Sequence, residues 1–213
     1  MKFCVIGLGR FGYQVATVLG EHGMEVIAID SDPSIVASIR DKVTQAICMR
    51  VKDESSLKSI GIEEMDTVIV ATGEDFAESI LITVLLKKRL NMPRVIARAI
   101  NNIHKEILLL VGADKTILPE QEIGIKLADN LSSPFTDIFR LTQDFSVSQI
   151  IAPQRYVGKS IEDVRFYDNY QVICLGIKKD EEIIPEGPEY VIQAKDRLIV
   201  AGNIENLRRL TKL

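Results

Sequence analysis

At 213 residues, with 46% hydrophobic and 26% charged side chains, the chain can bury a core as one large or two small domains, which excludes a disordered polypeptide. A net charge of -4 removes the long-range attraction to nucleic acid or anionic lipid that a basic chain would have. The longest apolar run, Ile80 to Leu86, falls far below the roughly twenty residues a bilayer span needs, and Met1-Lys2 leads straight into a strand pattern with no secretory leader, so the expected location is the cytoplasm.

In chain order, "KFCVIGL" reads as a strand and is followed by a helix from about Gly12 to His22. "MEVIAID" is a second strand, and "PSIVASIRDK" a helix whose proline sits where no donor is needed. "QAICMRV", the amphipathic "DESSLKSIGI" and the run "DTVIVAT" come next, then a long apolar helix from roughly Phe76 to Leu90. "RVIARAI", "NIHKEILLLVGAD" and "KTILPE" complete a strand, a helix and a short strand. Alternation at this spacing with nearly all-apolar strands predicts an α/β fold: a Rossmann-like, doubly wound parallel sheet with both faces covered.

After Pro119 the rhythm changes. Residues 121–143 read as a helical connector of two short pieces broken at Ser132-Ser133-Pro134, because proline disfavours a continuing helix. From 144 to 213 the pattern is a second, smaller α+β domain: strand "SVSQIIAP", helix "SIEDVRFYD", strand "QVICLGIKK", a short strand "EIIP", strand "RLIVAGN" and a terminal helix. The nucleotide-binding unit is thus expected over 1–120. Cys4, Cys48 and Cys174 each lie in Val/Ile-rich runs and read as buried thiols, and with only His22 and His104 available a zinc finger is excluded by count.

The chemistry concentrates in "GLGRFG". Gly7 permits the tight turn leaving the strand, Gly9 lets backbone approach a pyrophosphate, and Gly12 lets the first helix pack closely, while that helix's N-terminus offers free N–H groups to phosphate. Asp30, 23 positions after Gly7, closes the second strand where an acid accepts from a ribose, which favours NAD(H) or an adenine nucleotide over NADP(H). Arg10 suits a triphosphate, whose extra charge a guanidinium can neutralise. Hydride transfer would want an acid or base beside the nicotinamide, and His104 in "NNIHKEILLL" reads equally as a polar helix position. A nucleotide bound without chemistry points to a sensor; a small NAD(H)-dependent oxidoreductase is the alternative.

The stretches "VIGLGRFG", "EVIAID", "DTVIVATGED", "RVIARAINNIHKEILLLVGADKTILPE", "VGKSIEDV" and "DRLIVAG" resemble the cytoplasmic regulators of Trk/Ktr-type potassium uptake, built from an RCK N-lobe and a small RCK C-lobe. The resemblance implies a non-enzymatic subunit, forming dimers that assemble into an octameric ring beneath a membrane-embedded potassium or sodium pore, with ATP, ADP or NAD(H) changing the ring's shape. It implies a phosphate loop of Gly7, Gly9, Arg10, Phe11 and Gly12, with Arg10 towards the terminal phosphate of ATP. It further implies a ribose contact at Asp30, a cleft lined by Asp32, Thr72, Gly73 and Glu74, Arg98 at its edge, and Glu120 assisting a divalent cation, Mg or Ca. Two further implications are a cyclic di-AMP site in the C-lobe involving Arg165 and Asn169, and burial of the apolar helix at Ile80 to Leu86 against another subunit. Where the family usually has Gly-Asp after the third strand, this chain has Met49-Arg50, which leaves the base contact open.

Overall fold

The computed structural model describes residues 1–72, 76–132, 136–142, 144–179, 182–185 and 187–211. They divide into two compact units, residues 1–121 and 122–213.

The first unit runs β1 (Lys2–Ile6), α1 (Arg10–Glu21), β2 (Glu25–Asp30), α2 (Pro33–Ile39), β3 (Gln45–Cys48), α3 (Glu54–Lys58), β4 (Thr67–Val70), α4 (Phe76–Val84), β5 (Val95–Arg98), α5 (Asn102–Leu110) and β6 (Lys115–Ile117). All six strands are parallel, in the order β3-β2-β1-β4-β5-β6. Strand side chains alternate between faces, and the cores show it. Cys4, Ile6, Val68, Val70, Val95 and Ala97 pack with Leu57, Ile82, Leu86 and Leu108 on one face. Val5, Val26, Ala28, Ile69 and Ala71 pack with Ala16 and Ile39 on the other. Both faces are therefore dry, which is why the strands carry almost no polar residue.

The apolar helix departs from its expected form in two ways. It is α-helical only to Val84, and Leu85–Arg89 continue as a π-helical turn closed by the Leu90 amide on the Leu85 carbonyl. Its apolar surface is mostly used within its own unit: Ile82 and Leu86 are buried, Ile80, Leu85 and Leu90 pack on the same core, and Leu81 stays exposed. The thiols also differ from expectation, for Cys4 is buried and Cys174 half-buried, whereas Cys48, the last residue of β3, is exposed. It sits at a strand end, beyond the reach of the covering helices.

The helix α6 (Pro119–Ser132) opens the stretch read as a connector. The second half of that stretch is not helical. Residues 136–140 form β7 (Thr136–Arg140), pairing antiparallel with β8 (Phe145–Ile151), with Phe139 opposite Val147, because a neighbouring strand offers β-branched and aromatic residues a better surface than a short helix would. The second sheet has the order β10-β9-β11-β8-β7, with β9 (Val172–Lys179), β10 (Glu182–Ile184) and β11 (Arg197–Asn203). "SIEDVRFYD" forms two pieces, α7 (Ile161–Val164) and α8 (Phe166–Tyr170), parted at Arg165, whose φ of 50° lies in the left-handed region. α9 (Ile204–Thr211) turns Leu207 and Leu210 into the core against Ile150, Leu198 and Val200, leaving Arg208 and Arg209 exposed. Among the described residues no helix is long and apolar enough to cross a membrane.

Candidate functional site: a nucleotide crevice at the switch point

The sheet order reverses direction between β1 and β4, so α1 and α4 leave on opposite faces and a crevice opens beyond the strand ends. The glycine loop lies in it, and its three glycines have different neighbours. Gly7 has φ +91° and packs so closely on the β4 exit that a Cβ there would sit 2.7 Å from the Thr72 amide nitrogen. A Cβ on Gly12 would overlap the Gly7 carbonyl oxygen and stand 2.9 Å from the Ala71 Cβ. Gly9 faces nothing within 4 Å. Two of the glycines are thus required by the protein's own packing, and the third borders open space.

Gly9 also caps α1 without a side-chain hydrogen bond, so the amides of the helix's first turn point outward unfilled by any side chain cap. The positive end of a twelve-residue helix and those donors make an anion seat. Phe11 contributes its backbone to that turn, while its ring packs on the core beneath.

Asp30 holds the crevice together. One carboxylate oxygen accepts from the Leu8 amide at 2.6 Å, fixing the glycine loop, and the other accepts from the Asp32 amide at 2.9 Å. Each oxygen has two lone pairs, so both can still accept from a ribose hydroxyl. Asp32 is used differently: it caps α2, accepting from the Ser34 amide at 2.8 Å and hydroxyl at 2.5 Å, and these bonds hold its carboxyl below the usual range. The Thr72 hydroxyl is buried and has no partner among the described residues. Gly73 and Glu74 lie outside the described residues.

At the far edge, Arg98 ends β5 and donates through Nη2 to Glu120 Oε1 at 2.6 Å, while its Nε is buried without a partner among the described residues. The Glu120 carboxyl is held below its usual range by its own backbone amide and by Arg98, with Arg10 adding a longer-range effect. Glu120 is thus bonded to Arg98 alone of the two arginines, with Arg10 acting on it only through space. As a metal ligand Glu120 is poorly placed within one chain, since its partner is a cation and no cluster of three or more acidic, histidine or cysteine side chains occurs among the described residues.

His104 stands apart from the crevice chemistry. It is 1% exposed, its Nδ1 accepts from the Ile100 amide at 3.4 Å, and Nε2 lies 2.8 Å from the Ser79 hydroxyl. Because that hydroxyl donates to the Phe76 carbonyl at 3.1 Å, Nε2 carries the proton and donates to Ser79. The Phe76 ring covers it at 4.2 Å between centroids. His104 is thus a clasp between α5 and α4, and burial lowers its pKa. The unfolded chain titrates near 6.5 and the folded one lower, so the unfolded state takes up the proton first and stability falls as pH drops below about 6.5, by up to about 1.4 kcal/mol per pH unit until the folded group titrates. Urea melts between pH 5 and 7.5 should show this slope, and His104→Gln should flatten it; an unchanged slope would remove His104 as its source.

In the second unit, Arg165 pairs with Asp168 at 2.9 Å, and the Asn169 amide donates to the Val164 carbonyl at 2.9 Å. Asn169 thereby fixes the break between α7 and α8, while Arg165 stays exposed.

A glycine loop at the switch point of a six-stranded parallel sheet, with an acid closing β2, defines a Rossmann-type nucleotide-binding domain, here followed by a small α+β domain. Residues 3–119 match the TrkA-N domain and residues 148–213 the TrkA-C domain, and the chain belongs to this TrkA-N/TrkA-C family. It is 35% identical over 214 residues to the Ktr system potassium uptake protein C of Bacillus subtilis (strain 168), covering 99% of this chain and 96% of that one. Among solved structures, the GsuK channel bound to NAD matches with a TM-score of 0.57 at 23% identity, over 98% of this chain and 37% of that chain. GsuK bound to ADP matches with a TM-score of 0.53 at 25% identity, over 61% of this chain and 33% of that chain. The chain thus spans only about a third of the GsuK chains' length.

Proposed function

We propose that this chain is the nucleotide-sensing regulatory subunit of a membrane potassium-uptake system, and that an adenine nucleotide in the β1/β4 crevice sets the state of the translocating partner. The observation that carries the reading is the open space at Gly9, in a chain collinear almost end to end with a Ktr potassium uptake protein. The GsuK match, whose crystal structure holds ADP, supports the choice of ligand. The first-turn amides of α1 take the pyrophosphate, Asp30 the ribose, and Arg10 with Arg98 the outer phosphate charge. Thr72 offers its unpartnered hydroxyl to the same ligand.

Such a ligand can shift a pore only by binding two shapes of the regulator unequally. An assembly of several copies, taken here as an octameric ring of dimers at the inner face of the membrane, supplies those shapes. Its support is the apolar surface left open: Ile103 and Leu110 (81% exposed) on α5, and Ile123, Leu127 and Leu131 (79%) on α6. A divalent cation at Glu120 would need ligands from the nucleotide or from a second copy. Cyclic di-AMP would meet Arg165 in the second unit, and calorimetry with that dinucleotide tests it directly.

His104 does not favour the oxidoreductase reading, since it is sealed behind Phe76. The decisive experiment combines calorimetry with ATP, ADP and NADH, absorbance at the NADH band, and potassium uptake in cells lacking their own regulator. Binding without NADH consumption, and uptake restored by the wild-type gene, are expected. Absence of nucleotide binding, or steady NADH oxidation, would overturn the proposal.

A further inference from the structure

One ion pair of the first unit joins segments that the sheet holds far apart. Arg50 lies two residues past the end of β3, and its Nε donates to Glu78 Oε1 at 3.1 Å, on the first turn of α4. β3 and β4, from which these segments leave, are separated by β2 and β1, three strand spacings or about 14 Å. The link therefore passes beside the ends of the two strands that carry Asp30 and the glycine loop. It bounds the crevice on the side away from Arg98 and Glu120.

The segment bearing Arg50 is anchored on both sides. Val51 is buried, Met49 packs on the same core, and the Met49 amide donates to the Asp30 carbonyl at 2.9 Å. Cys48 is in register with Asp30. Between the packed Met49 and Val51, Arg50 turns outward, with its side chain 59% exposed, whereas Glu78 is only 22% exposed. The Glu78 carboxylate on Nε restrains the guanidinium, and most of the Arg50 side chain remains exposed to solvent. Planar cations stack on aromatic rings, purines included.

We propose that Arg50, braced by Glu78, recognises the base half of the nucleotide by stacking on the adenine. This rests on the nucleotide-sensing reading above and assigns the one part of the ligand that the phosphate loop and Asp30 leave unheld. Arg50 would touch the ligand; Glu78 is a positioning residue. It follows that base recognition and phosphate recognition lie at opposite ends of the crevice and can be altered separately.

The test measures ATP, ADP, NADH and NADPH affinities by calorimetry for the wild type and for Arg50→Ala, Arg50→Lys, Glu78→Ala and the Arg50→Ala/Glu78→Ala double variant, with folding checked by melting temperature. Arg50→Ala should weaken ATP, ADP and NADH by a common factor of roughly five- to thirtyfold, leaving the ATP/ADP ratio unchanged. Arg50→Lys should not restore binding, because it keeps the charge and loses the plane. Glu78→Ala should lose part of the affinity, and the double variant should be no weaker than Arg50→Ala, since Glu78 acts through Arg50. Unchanged affinities in Arg50→Ala, wild-type binding in Arg50→Lys, or a loss confined to NADPH would overturn the assignment, the last by placing Arg50 on a 2′-phosphate. These results would leave the sensing function standing. A wild type that binds none of the four would overturn both.

Discussion

Gly9→Ala should bind ATP and ADP far more weakly than the wild type while melting at almost the same temperature. The Gly9 backbone, φ -61° and ψ -178°, is one that alanine adopts freely, and a Cβ there meets no protein atom within 4 Å. The loss to the fold is limited to a poorer helix cap, about 0.5 kcal/mol. A phosphate approaching that backbone would instead meet the methyl group, and overpacking of this kind costs about 1–3 kcal/mol, or roughly five- to 150-fold in affinity. Gly12→Ala should do the opposite. Its methyl group would overlap the Gly7 carbonyl oxygen, so backbone must move on one side or the other, and a destabilisation of about 3 kcal/mol or more is expected. Thermal melts and calorimetry on the two variants check this directly. Full ATP affinity in Gly9→Ala would show that no ligand lies against the loop.

Arg10→Ala should abolish the preference for ATP over ADP and leave ADP binding nearly unchanged. Arg10 is the first residue of α1, is exposed, and forms no ion pair among the described residues, so its guanidinium is available to an anion in the crevice. Arg10 acts through space on Glu120, which is already bonded to Arg98. A charge-assisted hydrogen bond contributes about 1.5–3 kcal/mol, so the ATP/ADP ratio should fall by roughly ten- to 150-fold. The effect should shrink with added salt, because an exposed cation is screened within about 10 Å at 0.1 M. An ATP/ADP ratio equal to that of the wild type would take Arg10 off the terminal phosphate.

Much of the first unit was legible because its signals are local. Residues that must be apolar on both faces of a strand announce a parallel sheet, and glycine spacing with an acid 23 positions on announces the crevice. The errors fell where a distant partner decided. Thr136–Arg140 carries a helix-compatible pattern until β8 lies beside it. The helix beginning at Phe76 looked too apolar for one domain until five of its large side chains were placed on a single core.

The candidate site divides in the same way. Gly7, Gly9, Gly12 and Asp30 were marked by spacing alone, since the turn, the helix start and the strand end all lie within thirty residues. That Asp32 is a helix cap, that Glu120 is bound by Arg98, and that His104 is a clasp depends on groups brought in from other elements. The Arg50–Glu78 link, 28 residues apart in sequence, left no local signal beyond the unexpected arginine itself.

By itself the sequence determined the strand–helix alternation, the glycine loop and the acid that closes β2, because these follow from steric and hydrogen-bonding demands on neighbouring residues. Only the tertiary structure decided which glycine borders open space and which face the protein, and which charges across the crevice are paired. Those depend on how strands far apart in the chain come to lie side by side.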